Sequence, residues 1–393
     1  MTLTTTSDAT LGSADSEAIS DATAAGRPAP STASLLTGFD HLELWVGNAR
    51  AVSQLLQSGF GFDCTAYAGP ETGVMDRVSY VLEQGSIRFL VTAGLTSRSP
   101  ICQHVLRHGD GVHAVGFTTN DVDAAFSSAV DKGAPAVAEP LDSVDDNGRV
   151  RTATIAVYGE TEHTLVDRSG YEGAFGPGFT TAGVPAFGLG RAAGLGSIDH
   201  VVGNVEEGRL DEWVAWYESV LGFSQMRHFD ADQISTEFSA LRSTVVWNGS
   251  SVCMPINEPA PGKRKSQIQE YLESYDGPGV QHIALHTADI VRAVDELRRR
   301  GVRFLVPPRT YYEDALDRCG DLGLPWDDLE RLGILVDVDG GGYLLQVFTE
   351  NLSDRPTLFA EIIQREGATG FGEGNFKALF EAIEREQQKR GNL

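Results

Sequence analysis

Cysteine is scarce: four residues in 393, Cys64, Cys102, Cys253 and Cys319, lie far apart with no CxxC spacing. Neither a thiolate zinc cluster nor a disulfide framework is therefore expected, and reduced, packed thiols are. Basic residues are also few, 31 Lys and Arg against 55 Asp and Glu, for a formal charge of −24. Such an excess of negative charge repels a phosphate backbone or an anionic lipid surface, so nucleic-acid and membrane partners are not expected. No apolar run approaches the length of a transmembrane helix, and the N-terminus has neither the basic flank nor the apolar stretch of a signal peptide. A cytoplasmic location is the resulting expectation.

What is present is enough apolar sequence, 41% of the chain, to bury a large core, in a chain too long for one. Residues 1–35, rich in Ser, Thr and Ala, read as a disordered leader. The informative feature beyond them is an internal repeat. Phe39-Asp40-His41-Leu42 matches Ile198-Asp199-His200-Val201, and each precedes an amphipathic stretch ending near Gly-Phe. In the second copy Trp213, Trp216, Tyr217 and Val220 follow the spacing of a helix with one buried face. Further on, Gly109-Asp110-Gly111-Val112 leads into His113-Ala114-Val115-Gly116-Phe117, as Gly277-Pro278-Gly279-Val280 leads into Gln281-His282-Ile283-Ala284-Leu285. Both strands run into helices that Asp121 and Asp289 are placed to cap and that stop at Gly133 and Gly301. Two strand–helix–strand units per half, four in all, predict an α+β protein of curved mixed sheets. The Gly- and Pro-crowded stretch 171–195 reads as a linker between an N-terminal domain, 36–170, and a C-terminal domain, 196–393.

In the second half His200, His282 and Glu361 each interrupt apolar surroundings. The intervals, 82 and 79 residues, are nearly constant, as if equivalent strands of successive units converged. Two imidazoles and one carboxylate on one face of a metal make the facial triad of ferrous oxygenases, and zinc can bind such a set too. A lone strand histidine is more often a hydrogen-bonded core residue than a ligand. Glu361 weighs against that, because an ionised carboxylate in an apolar strand is costly unless paired or metal-bound. The first half keeps His41 but has Ala114 where His282 stands, and no Glu in an equivalent apolar strand, so it is expected to lack the metal.

Five segments carry a resemblance: Ser197-Ile198-Asp199-His200-Val201-Val202-Gly203-Asn204, Pro255-Ile256-Asn257-Glu258-Pro259, Lys265-Ser266-Gln267-Ile268, Gly279-Val280-Gln281-His282-Ile283-Ala284 and Glu361-Ile362-Ile363-Gln364-Arg365. The chain from about Gly38 onward resembles the 4-hydroxyphenylpyruvate dioxygenases of the vicinal oxygen chelate superfamily. The resemblance implies four βαβββ units forming two open-barrel, glyoxalase-like domains with a C-terminal lid helix. It implies Fe(II) held by His200, His282 and Glu361. Ser243, Asn257, Gln267, Gln281 and Gln346 match polar residues that position substrate, and Phe348, Phe371 and Phe376 match an aromatic wall. The implied reaction converts 4-hydroxyphenylpyruvate and O2 to homogentisate and CO2 in tyrosine catabolism. Without the resemblance, the Ser and Asn are ordinary local hydrogen-bonders and the Phe residues ordinary packing. Asn375 is positioned to cap a helix carrying Phe376, Leu379, Phe380 and Ile383 on one stripe, after the flexible-looking Gly370–Gly374 segment. Two departures from the family pattern are Ala360 and His286, the latter on the His282 face of its strand.

The rival readings are a 4-hydroxymandelate synthase, against which Asn257 and Phe376 argue, an extradiol ring-cleaving dioxygenase, and a metal-free small-molecule-binding protein. A homo-oligomer, dimer or tetramer, is expected, with the metal-free half as the assembly surface.

Overall fold

The computed structural model describes residues 34–187, 192–229, 240–320 and 322–391. The expected leader lies outside the described residues except for its last two. In the first half eight strands, β1 (Leu36–Trp45), β2 (Asp63–Ala68), β3 (Arg77–Gln84), β4 (Ile87–Gly94), β5 (Gly111–Thr119), β6 (Ala136–Asp145), β7 (Gly148–Ala156) and β8 (Glu162–Asp167), form one sheet. Its order is β2-β3-β4-β1-β5-β8-β7-β6. The second half repeats it with β9 (Leu195–Asn204), β10 (Ser224–Phe229), β11 (Ala240–Trp247), β12 (Cys253–Ala260), β13 (Gly279–Thr287), β14 (Leu335–Asp339), β15 (Gly342–Phe348) and β16 (Phe359–Glu366), in the order β10-β11-β12-β9-β13-β16-β15-β14. Each unit is βαβββ, closed by a parallel pair such as β5 with β8 or β13 with β16. Two units join through antiparallel pairing of their first strands, β1 with β5 and β9 with β13. The result is two curled, open barrels: the repeat predicts four units in curved mixed sheets, and the resemblance implies their βαβββ form and open-barrel shape.

Helices α1 (Ala49–Leu55), α3 (Val122–Asp131), α4 (Leu210–Leu221) and α6 (Ile290–Arg299) are the crossovers of the four units. Asp121 accepts from Ala124 N and Asp289 from Arg292 N, so both predicted caps form. Between units lie α2 (Pro100–His108) and α5 (Gln267–Tyr275), and the fourth unit inserts α7 (Thr310–Cys319) and α8 (Trp326–Leu332) before β14. The chain ends in α9 (Phe376–Arg390). None of the four cysteines is in a disulfide, and all are partly buried. No helix among the described residues is long and apolar enough to cross a membrane.

One apolar core runs through both halves, from Leu42 and Phe117 to Val201 and Ile283. Polar contacts join the halves as well: Gln84 Oε1 accepts from the N–H groups of Gly194 and Leu195, and Tyr217 on α4 donates its hydroxyl to His163 Nε2 on β8 at 2.8 Å. That assignment follows because His163 Nδ1 faces the Glu162 carbonyl, which only accepts. Burial pushes the His163 pKa from 6.5 down to about 3, so the folded protein holds this imidazole neutral while an unfolded chain protonates it. The stability contributed is complete above pH 6.5 and is lost as pH falls toward 3. A His163→Gln variant, which keeps an acceptor for Tyr217 but cannot titrate, should therefore show a shallower fall of urea-unfolding stability between pH 6.5 and 4; an unchanged slope would refute this account.

Candidate metal centre and its cavity

The register of three neighbouring strands sets the site. His200 on β9 stands opposite Ala284 on β13, and Ala284 stands beside Glu361 on β16, so the three side chains form one row across the sheet. His282, two residues upstream on β13, shares that face by alternation. The small methyl of Ala284 leaves the middle of the row open, and the flanking side chains fill it. His200 Nε2 lies 3.2 Å and His282 Nε2 3.5 Å from Glu361 Oε2. One donor atom from each of the three residues falls within 4.8 Å of the others, and all three residues are buried. The near-equal sequence intervals are not, however, a sign of equivalent strands throughout: β9 and β13 each open a unit, whereas Glu361 sits on the strand that closes the fourth.

Neighbours orient each imidazole. His200 Nδ1 donates to Asp199 Oδ1 at 2.7 Å, and Arg365 grips both oxygens of Asp199 at 2.8 Å. His282 Nδ1 donates to Gln281 Oε1 at 2.9 Å. Both rings are thus turned so that Nε2 faces the carboxylate, the arrangement that outer hydrogen bonds impose on metal-binding histidines. Burial alone would push His200 down, yet Glu361 and Asp199 pull its pKa up to about 9. Burial keeps His282 below its usual value. Glu361 is held below the carboxylate range by the two imidazoles against its own desolvation, and its second oxygen, Oε1, is buried without a hydrogen-bond partner. A pair of imidazole nitrogens beside a buried, half-satisfied carboxylate fits a divalent cation of the ferrous or zinc type.

The row opens into a cavity with about 600 Å³ of atom-free space, partly continuous with solvent. Ser243, Asn257, Gln267 and Gln281 put polar groups into it, and Phe348, Phe371 and Phe376 wall it. Gln346 is not among the lining residues. It is buried beneath Gly372, whose φ of 80° and lack of a Cβ let the loop pass over the amide. His286 lies outside the cavity too, in a cleft with Asp199 and Arg365. Sequence reasoning missed Phe359, which stacks on His282 at 4.8 Å, and the Asp199–Arg365 pair, although the repeated Asp-His dipeptide carried a signal for the latter.

The tail departs from expectation. Asn375 makes no capping hydrogen bond to α9; its Oδ1 accepts instead from Tyr311 Oη at 2.6 Å. The glycine-rich segment before it is tied down, with Asp339 Oδ2 accepting from Thr369 N and Gly370 N, and Asp337 from Gly374 N. Phe371 is thereby held edge-on to His200 at 5.3 Å. From α9, Phe376, Leu379 and Phe380 face the cavity, and Arg390 at its far end grips Glu270 of α5.

The first half carries the same frame without the donors. His41, Asp40 and Arg168 reproduce His200, Asp199 and Arg365, with Phe175 edge-on to His41 at 5.2 Å. The strand register puts Gly116 and Thr164 where Ala284 and Glu361 stand, and Ala114 where His282 stands. A Cβ at Gly116 would come within 2.5 Å of His41, so the imidazole itself fills the space.

The superfamily model described as Glyoxalase/Bleomycin resistance protein/Dioxygenase superfamily matches residues 38–171 and 197–321, one match to each half. A 4-hydroxyphenylpyruvate dioxygenase of Dictyostelium discoideum is 48% identical over 91% of this chain and 100% of its own length. The chain belongs to the 4-hydroxyphenylpyruvate dioxygenase family. A Caenorhabditis elegans member is 46% identical over 90% of this chain and 93% of its own. Among solved structures, a triple mutant of 4-hydroxymandelate synthase from Streptomyces coelicolor superimposes with a TM-score of 0.80 at 36% identity, covering 90% of this chain and 99% of that one.

Because the metal-free His200 is protonated below pH 9, a cation must displace that proton. Titrating apoprotein with Co(II) at pH 7 in buffers of different ionisation enthalpy should show proton release, with affinity rising as pH approaches 9. In the same titration Asp199→Asn should bind about 10–100-fold more weakly; binding without proton release, or an unaffected variant, would contradict the assignment.

Proposed function

We infer that this chain is an Fe(II)-dependent dioxygenase that converts 4-hydroxyphenylpyruvate and O2 to homogentisate and CO2, a step of tyrosine catabolism. The observation that carries the reading is the convergence of His200 Nε2, His282 Nε2 and Glu361 Oε2 at the edge of a cavity lined by amide and aromatic side chains. When bound there, ferrous iron supplies Lewis acidity and open positions for a chelating 2-oxo acid and for dioxygen. His200, His282 and Glu361 would hold it on one face, leaving the cavity side free.

The chain's own contribution is position and dryness. Gln281 spends its oxygen on His282, which leaves its amide N–H groups to donate toward a substrate oxygen. Asn257 is braced by Asn204 on β9 and, with Ser243 opposite it on β11, supplies polar groups to one wall; Gln267 supplies them from the first turn of α5. Phe348, Phe371 and Phe376 fit the flat faces of a phenyl ring. α9 and the tied loop before it form a lid over the cavity and restrict the access of water to the substrate ring. Association of copies through the first half is supported by its edge strand β6, which exposes Val137, Leu141 and Val144.

The 4-hydroxymandelate synthase likeness favours one second reading, in which oxygen is placed on the benzylic carbon. Asn257 and Phe376 support the first. Purified enzyme given Fe(II), ascorbate and 4-hydroxyphenylpyruvate should consume O2 and yield homogentisate; hydroxymandelate as product would overturn the choice. Glu361→Gln should lower kcat by at least about 1000-fold, since it removes the one anionic donor. Light scattering should give a mass above 42.2 kDa that Leu141→Asp lowers.

A further inference from the structure

Among the described residues one other compact group of imidazole and carboxylate donors lies at the C-terminal end of α2. His104 and His108 stand one helical turn apart, 4% and 2% exposed. Glu160, from the turn between β7 and β8, aims Oε2 at both: 3.0 Å from His104 Nδ1 and 3.2 Å from His108 Nε2. One donor atom from each of the three residues lies within 4.8 Å of the others.

The outer contacts constrain the inner ones. His108 Nδ1 is 2.5 Å from the Tyr275 carbonyl, which accepts only, so the proton is on Nδ1 and the neutral ring turns a bare lone pair at Nε2 toward the carboxylate. That buried nitrogen makes no hydrogen bond. Two lone pairs facing each other at 3.2 Å repel unless a cation lies between them or the ring takes a second proton. His104 is free to ligate through Nδ1, because its Nε2 is 3.5 Å from the Tyr275 hydroxyl, which can accept as well as donate. Arg107 holds the other oxygen of Glu160 at 2.6 Å and so fixes Oε2 toward the histidines.

We propose that His104 Nδ1, His108 Nε2 and Glu160 Oε2 form a second, structural metal site for a zinc-like divalent cation, separate from the cavity, which fastens the two halves together. Metal–ligand bonds of about 2.0–2.1 Å set tetrahedral edges of roughly 3.3 Å, close to the 3.0 and 3.2 Å that separate Glu160 Oε2 from the two nitrogens. The carbonyl on His108 Nδ1 is the outer partner that metal-binding imidazoles recruit. Glu160 has a side chain 43% exposed, which gives solvent access and room for a water as fourth ligand. All three ligands belong to the first half, but the groups that orient them, the Tyr275 carbonyl for His108 and Asp276 for Arg107 at 2.7 Å, belong to the second. An ion here would couple α2 to the end of α5.

The test separates the two centres by stoichiometry. Full-length apoprotein dialysed against micromolar Zn(II) should retain two ions per chain, and a His282→Ala/Glu361→Ala double variant should retain one. Adding Glu160→Gln or His108→Gln to that background should remove the remaining ion, together with the rise in Tm that zinc causes in the double variant. The exposure of Glu160 makes the first of these changes tolerable to the fold, which circular dichroism checks. If the double variant retains no zinc, His108 carries a second proton instead and the proposal fails. It fails equally if the retained ion is indifferent to both substitutions.

Discussion

A carboxylate that is 2% exposed at the centre of a sheet is the constraint around which the second half is built. Desolvating Glu361 is costly, and the compensation comes from two imidazoles whose orientation is in turn set by Asp199 and Gln281. Asp199 is itself a buried anion, and Arg365 neutralises it from the same strand that carries Glu361. The alternation of charge from Arg365 to Asp199 to His200 to Glu361 is therefore continuous, and each member would be unstable without the next. Cavity, aromatic wall and tail are arranged around that chain of compensation.

The first half shows which part of this arrangement is structural. Arg168, Asp40 and His41 keep the same geometry although no carboxylate stands in the position of Glu361. A buried Asp–Arg pair with a histidine on it pins the first strand of each half to the end of its last strand, and the candidate metal centre is built on a frame that the first half has without the other two donors. Thr164, Ala114 and Gly116 mark where the donors are absent and the space is closed.

Much of this was legible before any coordinates. The repeat fixed the number of units, because a duplicated Asp-His and a duplicated Gly-Val strand start cannot both be local accidents, and Asp121 and Asp289 announced their helices by a purely local hydrogen bond. His200, His282 and Glu361 stood out because polar residues in apolar strands need a reason. What stayed hidden depends on distant partners. Asn375 looked like a cap, but Tyr311, 64 residues away, competes for its oxygen. Gln346 shares a strand face with Phe348 yet is covered by Gly372, a fact of loop path and not of periodicity. The connecting helices α2 and α5 occupy equivalent places in the two halves although no repeated motif marks them, and α7 and α8 lengthen the fourth unit without an equivalent in the second.

The cavity is assembled from segments as distant in sequence as His200 on β9 and Phe380 on α9. Closing such long loops costs chain entropy before the contacts offset it, so the pocket takes shape late in folding, after the strand pairs inside each unit.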